Sequence, residues 1–348
     1  MLTPPSPPPA SPRNRPLSFW LALGFGLLFT GSLVLNALLG VALVGARESS
    51  GESGRYEEIL VDGKRSARDK VVVLPIHGVI MEEGDGPGSV RMVSQIRSML
   101  RSLEEDRHVK ALVLDIDSPG GGVTASDQIY HELARFRKEK GIPVVSLFGD
   151  VAASGGYYVA MASDHLVAHG TSITGSIGVI SQFPQVSELM DRVGVEITTI
   201  KSLNDQGRTS FKDIGSPFRK MRPEEHALLQ DLITRMWERF VGVVAEGRKG
   251  RLDSRQIRKL ADGRIFTGDQ ALELKLVDSV GYQEDAFQKA RELGHAPDAR
   301  VVRLRHRESL ADLLGGLGVS SPTPPDLRRL LERTGQRGPR LLYLWSGS

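Results

Sequence analysis

The segment "AASGGYYVAMASD" (152–164) sets Ser154 between two alanines and two glycines, directly after a strand-like run and ahead of an alanine-rich, helix-compatible stretch. A serine at such a junction has free backbone N–H groups beside it, which a hydroxyl nucleophile needs once an oxyanion develops. Gly155 and Gly156 carry no Cβ and let a substrate backbone come close. The same pattern also fits a serine that caps a helix in a tight turn. A second run, "DSPGGG" (117–122), follows another strand-like stretch and offers consecutive backbone donors to a phosphate, a peptide or an oxyanion. It has neither the Gly-Lys-Ser/Thr ending of a P-loop nor the Gly-x-Gly-x-x-Gly spacing of a dinucleotide site, which disfavours nucleotides. A plain structural turn is its other reading.

A nucleophilic serine needs a base. The eight histidines are His77, His108, His131, His165, His169, His226, His295 and His306, and none lies in a glycine-rich loop. His77 and His165 fall in or beside strand-like runs and read equally well as core residues. A Ser-His-Asp triad stays open, because triads are assembled in space rather than in sequence. A lysine can serve instead if burial lowers its pKa from about 10.4 toward neutrality, a shift of about three units that costs about 4 kcal/mol. The chain has no cysteine, which excludes disulfides, thiolate metal sites and a cysteine nucleophile.

The elements that must position these residues alternate. Strands are predicted over 70–80, 109–117, 142–150 and 165–169, and helices over 89–104 and 124–139, an order that argues for a mostly parallel sheet covered on its faces. A longer helix is predicted over 223–250, opened by Pro223 and two glutamates, with Leu228, Leu229, Leu232, Met236, Phe240 and Val243 as its apolar stripe. That stripe reads as core or subunit contact. Two short helices follow, around 254–262 and 267–275. Beyond 300 come a strand-like "ARVVRLR", a helix-like "SLADLLGGL" and a Pro-rich bend over 321–325.

The 348 residues are 40% hydrophobic and 25% charged, with a net charge of +3 spread without clusters, so no nucleic-acid partner is expected. Residues 1–16 are Pro-rich and read as a disordered cytoplasmic tail. Residues 17–46 hold no charge, longer than the roughly 20 apolar residues that a transmembrane helix needs and the about 7–15 of a signal-peptide core. They read as an uncleaved single-pass anchor in contact with membrane lipid. Flanking charge is nearly balanced, and the short tail favours a large domain on the extracytoplasmic side of the cytoplasmic (inner) membrane. Residues 47–69 read as a polar linker, 70–300 as the catalytic domain and 301–348 as a C-terminal extension.

Taken in order, "DSPGGG", "AASGGYYVAMASD", "TGSIGVI" (174–180), "KDIGSPFRKMRPEE" (212–225) and "ADGRIFTGDQALELKLVDSVG" (261–281) resemble the short, single-domain bacterial signal peptide peptidases of the SppA type (protease IV), over roughly residues 70–293. The resemblance implies a ClpP/crotonase-like α/β fold of stacked βαβ units. It implies Ser154 as nucleophile, Lys212 as general base of a Ser-Lys dyad, and Ser176 as a serine that hydrogen-bonds the lysine. Gly121 and Gly155 then supply the oxyanion-hole amides. It implies no metal and no cofactor. It also implies a homo-oligomer, with the dyad shared between neighbouring subunits. The stretch "LNDQGRTSF" (203–211), between Lys201-Ser202 and Lys212-Asp213, looks like an insertion and makes Lys201 the rival base.

The expected function is therefore hydrolysis of remnant signal peptides and other apolar peptides. Two other classes stay open: a catalytically silent membrane scaffold whose glycine loops hold peptide without cutting it, and a crotonase-type enzyme acting on acyl thioesters. The ending "LLYLWSGS" (341–348) is apolar with small residues and reads as a segment able to occupy a neighbouring active site.

Overall fold

The computed structural model describes residues 17–48, 56–82, 92–203, 210–306 and 342–344, and the chain divides into two units, Met1–Arg55 and Tyr56–Ser348. The first unit contains one helix, α1 (Leu17–Glu48). Its described side chains are exposed, large apolar groups such as Phe25, Leu28 and Phe29 among them. Those side chains are continuous only over 23–37, and among the described residues no span is long and apolar enough to cross a membrane. The predicted tail over 1–16, the helix-like 309–317 and the bend at 321–325 lie outside the described residues.

The second unit runs β1 (Tyr56–Asp62), β2 (Lys70–His77), α2 (Met92–Leu103), β3 (Val109–Ser118), β4 (Gly120–Gly122), α3 (Val123–Lys140), β5 (Val144–Ala153), α4 (Gly155–Ala160), β6 (His165–Ala168), β7 (Ile173–Gly175), α5 (Ser187–Val193), α6 (Pro223–Gly247), α7 (Ser254–Leu260), β8 (Ile265–Thr267), α8 (Gly268–Glu273), β9 (Ser279–Val280), α9 (Gln283–Leu293), β10 (Arg300–His306) and β11 (Leu342–Leu344). One sheet has the order β1-β10-β2-β3-β5-β6-β9, with β7 joined to β5 and β8 to β7. Its centre is parallel, and the β1–β10 and β7–β8 pairs are antiparallel.

The central strands are β-branched because both their faces are covered. Val72, Leu74, Ile76, Leu112, Leu114 and Ile116 point to one face and pack in the larger core with α2, α3, α4 and the second half of α6. Val71, Val73, Ala111, Val113, Val145 and Leu147 point to the other, against Ala286, Phe287 and Ala290 of α9. The alternation is that of a pleated strand. Each fully buried Val, Leu or Ile contributes about 1.5–3 kcal/mol, so these strands form a rigid base for the loops at their C-terminal ends.

Two boundaries differ from the sequence reading. The stretch 47–69, read as a linker, contains β1, which pairs with β10 from Tyr56↔His306 onward. The boundary at 300 falls at the first residue of β10, a strand parallel to β2 in the main sheet. The apolar stripe of α6 is divided: Phe240 and Val243 are buried, whereas Leu228 and Leu232 are exposed.

Candidate active site

Ser154 follows the last residue of β5 and precedes the first of α4, at φ 53° and ψ −116°. A non-glycine residue in this region is strained by about 1–3 kcal/mol and persists only where its surroundings over-determine it. Those surroundings are specific. The Ser154 N–H donates to the Gly175 carbonyl at 2.8 Å, and its carbonyl accepts from the Tyr158 N–H at 2.9 Å. The side chain makes no capping hydrogen bond, although Ser154 occupies the cap position and is 1% exposed. The helix-capping reading of this serine therefore fails on geometry.

The glycine run is built around Ser118, whose hydroxyl donates to the Gly78 carbonyl at 2.6 Å and accepts from the Gly120 N–H at 3.1 Å. Ile80 binds the run from one edge: its N–H donates to Gly120 O and its carbonyl accepts from Gly122 N–H, each at 2.8 Å. The N–H and C=O of Gly121 are thereby left on the opposite edge, since alternate residues of a strand face alternate neighbours. That edge carries β11, antiparallel, with Tyr343 opposite Gly121, Leu342 opposite Gly122 and Leu344 opposite Gly120. The C-terminal segment thus lies on the glycine run of its own chain. Ser118 as the staple of the loop was not singled out in the sequence, although its place in a Ser-Pro turn is the mark of such a role.

Gly155 lies against this run. A Cβ on Gly155 would stand 2.5 Å from Ser126 Oγ and 3.1 Å from both Gly120 Cα and Gly121 N. The two glycines expected to supply amide donors are therefore adjacent, and the closeness requires the missing Cβ. Gly155→Ala is expected to lower kcat by about a hundredfold or more, the scale of losing one oxyanion donor. Steady-state peptide hydrolysis checks this, with the urea midpoint as the control for folding.

Ser176 follows Gly175 at the end of β7, where both residues have positive φ, 82° and 50°. Register pairs Ala153 with Gly175, so the turn carrying Ser176 lies beside the Ser154 backbone. The Ser176 N–H donates to Arg264 O at 2.8 Å, and the residue is 8% exposed. Ser154, Gly155, Gly121 and the Ser176 turn are thus brought together within one chain.

The lysines are placed differently. Lys212 is exposed, and its backbone N–H donates to Ser210 Oγ at 3.0 Å. Lys201 donates to Asp213 Oδ1 at 2.7 Å, and its side chain is 14% exposed. Among the hydrogen bonds of the described residues, none joins either lysine to Ser154. Most of the stretch 203–211, residues 204–209, lies outside the described residues.

An ionic knot fixes this loop to α6. Arg219 donates to Asp213 Oδ2 at 2.7 Å and to Glu225 at 2.5 and 2.8 Å; Arg222 adds its backbone N–H at 2.9 Å and its guanidinium at 2.7 Å to Glu225. The Glu225 side chain is fully buried. Hydrogen bonds from Arg219, then Arg222, hold its carboxyl down to about 2 from an ordinary 4.5. Asp213 is lowered for the same reason, by Arg219 and Lys201. Both pKa values are depressed by folding. Their stabilisation is therefore complete above the ordinary carboxylate range and is lost as pH falls through the folded values. The urea midpoint is expected to stay level above about pH 5 and to fall between about pH 4.5 and 2, with a smaller fall in Glu225→Gln. A urea series across that range checks it.

Among the described residues no group of three or more His, Cys, Asp or Glu side chains is placed to hold a metal ion. The model of peptidase family S49 matches residues 136–296, and that of Clp protease matches residues 85–171. A protein of Enterococcus faecium named as a signal peptide peptidase SppA is 34% identical over 305 residues, 82% of this chain and 84% of that protein. Protease 4 of Haemophilus influenzae is 31% identical over 225 residues, 65% of this chain and 35% of a longer protein. The chloroplastic serine protease SPPA of Arabidopsis thaliana is 32% identical over 266 residues, 74% of this chain and 38% of that protein. The S49 match includes Ser154, Ser176 and both candidate lysines, and the Clp match includes the glycine run and Ser154. By these matches the chain is a serine peptidase and belongs to peptidase family S49, with the SppA and protease 4 proteins.

Proposed function

We propose that the chain is a membrane-anchored endopeptidase that degrades remnant signal peptides and other apolar peptides with a Ser-Lys dyad completed by a neighbouring copy. The observation that carries this reading is Ser154, strained at φ 53°, uncapped, and set against the Gly120–Gly122 run. Ser154 Oγ attacks the peptide carbonyl, and a neutral lysine takes its proton. The Gly121 and Gly155 amides hold the oxyanion, and Ser176 orients the lysine. The proton then passes to the leaving amine, and water resolves the acyl-enzyme.

Two features support a base supplied in trans. Among the described residues no hydrogen bond joins either lysine to Ser154. The segment that bears them exposes Ile180, Leu189, Val193, Ile200, Phe211 and Phe218, and α6 adds Leu228 and Leu232. An apolar surface of that extent is what a subunit contact covers. A second copy seated there would also remove water from a lysine, which lowers its pKa. Lys212, the lysine of the "KDIGSP" motif, is our base. Lys201 is the second reading, favoured by its sheltered position.

Anchoring rests on α1. Its 32 residues rise about 48 Å at 1.5 Å per residue, against a hydrocarbon core of about 30 Å, and residues 17–46 are uncharged. In this reading the catalytic unit faces the extracytoplasmic side of the membrane. The full chain in detergent, incubated with an apolar fluorogenic peptide and with a fluorophosphonate, tests the chemistry. Cleavage together with labelling at Ser154 is expected. A folded, assembled chain that neither cleaves nor labels would return the scaffold reading.

A further inference from the structure

The motif around the nucleophile continues into Tyr157 and Tyr158, for which the chemistry above has no use. Both are fully buried. Burying a phenol is costly unless its hydroxyl finds a partner, and each of these does. Tyr157 donates to the Leu276 carbonyl at 2.7 Å, in the turn between α8 and β9. Tyr158 donates to Asp127 Oδ1 on α3, and the same oxygen accepts from Arg239 of α6 at 3.0 Å. The two partners lie on different elements, so consecutive hydroxyls tie one short helix to two separate parts of the core. The rings are held as well: Tyr158 packs on Phe240 and Tyr130 with centroids at 5.0 and 5.5 Å, and Tyr157 packs on Phe148 at 6.3 Å.

The need for such ties follows from α4 itself. It has six residues, too few to hold a helical conformation without tertiary support. It nevertheless fixes the strained serine at its head, because the Tyr158 N–H is the donor to Ser154 O. A change in the setting of Tyr158 passes to Ser154 through that hydrogen bond and the first turn of α4. On the nucleophile reading given above, we infer that Tyr157 and Tyr158, with Asp127, are positioning residues that hold Ser154 Oγ in its attacking geometry through α4. They touch neither substrate nor the reacting atoms.

The test uses the full chain in detergent with Tyr158→Phe, Tyr157→Phe, Asp127→Ala and Asp127→Asn. Two rates are read: kcat on a fluorogenic peptide, and acylation of Ser154 by a fluorophosphonate. In Tyr158→Phe and Asp127→Ala both rates are expected to fall about tenfold, the scale of one hydrogen bond, with KM changed less than about twofold. Tyr157→Phe falls likewise. Asp127→Asn keeps an acceptor oxygen and is expected to stay near wild type. The double variant Asp127→Ala/Tyr158→Phe should be no slower than Asp127→Ala alone, since that single change already removes the Tyr158 bond. Wild-type rates per folded enzyme in Tyr158→Phe, with only the urea midpoint lowered, would overturn the inference and leave a packing role. A rise in KM at constant kcat would overturn it too. If Ser154 of the wild-type chain is not acylated at all, the nucleophile reading falls and takes this inference with it.

Discussion

Ser154→Ala is expected to fold and assemble like the wild type and to lose peptide hydrolysis by at least about a thousandfold. The substitution removes one oxygen that makes no cap hydrogen bond, so little structure depends on it. Alanine is as strained as serine at φ 53°, and the backbone bonds to Gly175 O and from Tyr158 N–H do not involve the side chain. What disappears is the nucleophile. Residual turnover would come only from the oxyanion donors and substrate binding. Initial rates with an apolar fluorogenic peptide, compared at matched circular dichroism and matched oligomer size, measure the loss. Activity within tenfold of wild type would sink the mechanism.

The lysine variants carry the second large effect. Groups that act as a unit are not additive, so Lys212→Ala should cost about as much as Ser154→Ala, and the double variant little more. Lys201→Ala should keep most of its activity, although loss of the Asp213 contact loosens the loop. The reverse pattern would assign the base to Lys201. Mixing settles where the base comes from. If serine and lysine belong to neighbouring copies, Ser154→Ala and Lys212→Ala chains assembled together at equal amounts regain about a quarter of their sites, as random placement around a closed ring requires. If both belong to one chain, the mixture stays inactive. In either case kcat/KM should rise with pH until the lysine is neutral, because only the unprotonated amine accepts the serine proton.

Much of this architecture could be read in advance, and the exceptions have physical causes. The runs that became β2, β3 and β5 are β-branched and unbroken because helices cover both their faces. α2 and α3 announce themselves by apolar residues at helical spacing. β1 escaped notice because it is an edge strand: Glu58, Ile59 and Leu60 are exposed together, so "YEEILVD" shows no alternation. β7 and β8 have three residues each and β9 two, too short for any periodicity to register. β4 is three glycines and has no side chains from which a pattern could be read. The stripe of α6 shows a different limit, since spacing reports that Leu228 and Leu232 are apolar without saying what covers them. At the site, Ser154 and its glycines were visible as candidates because the chemistry proposed for them requires those residue types. The base was not, because a lysine on a surface loop and a lysine awaiting a partner look alike in one dimension.

The strand β11 alters how substrate affinity would be understood. An extended peptide that used the edge of Gly120–Gly122 facing away from Ile80 would meet Leu342–Leu344 already there, with Tyr343 in register with Gly121. That occupant belongs to the same molecule and is joined to β10 by residues 307–341. A competitor within the same molecule keeps its effective concentration whatever the dilution of the enzyme. On the peptidase reading proposed above, free peptide would not bind an empty groove but exchange with a resident one. The apparent KM becomes the product of intrinsic affinity and the cost of eviction, and a weakly binding tail is enough to make a strong substrate look like a poor one.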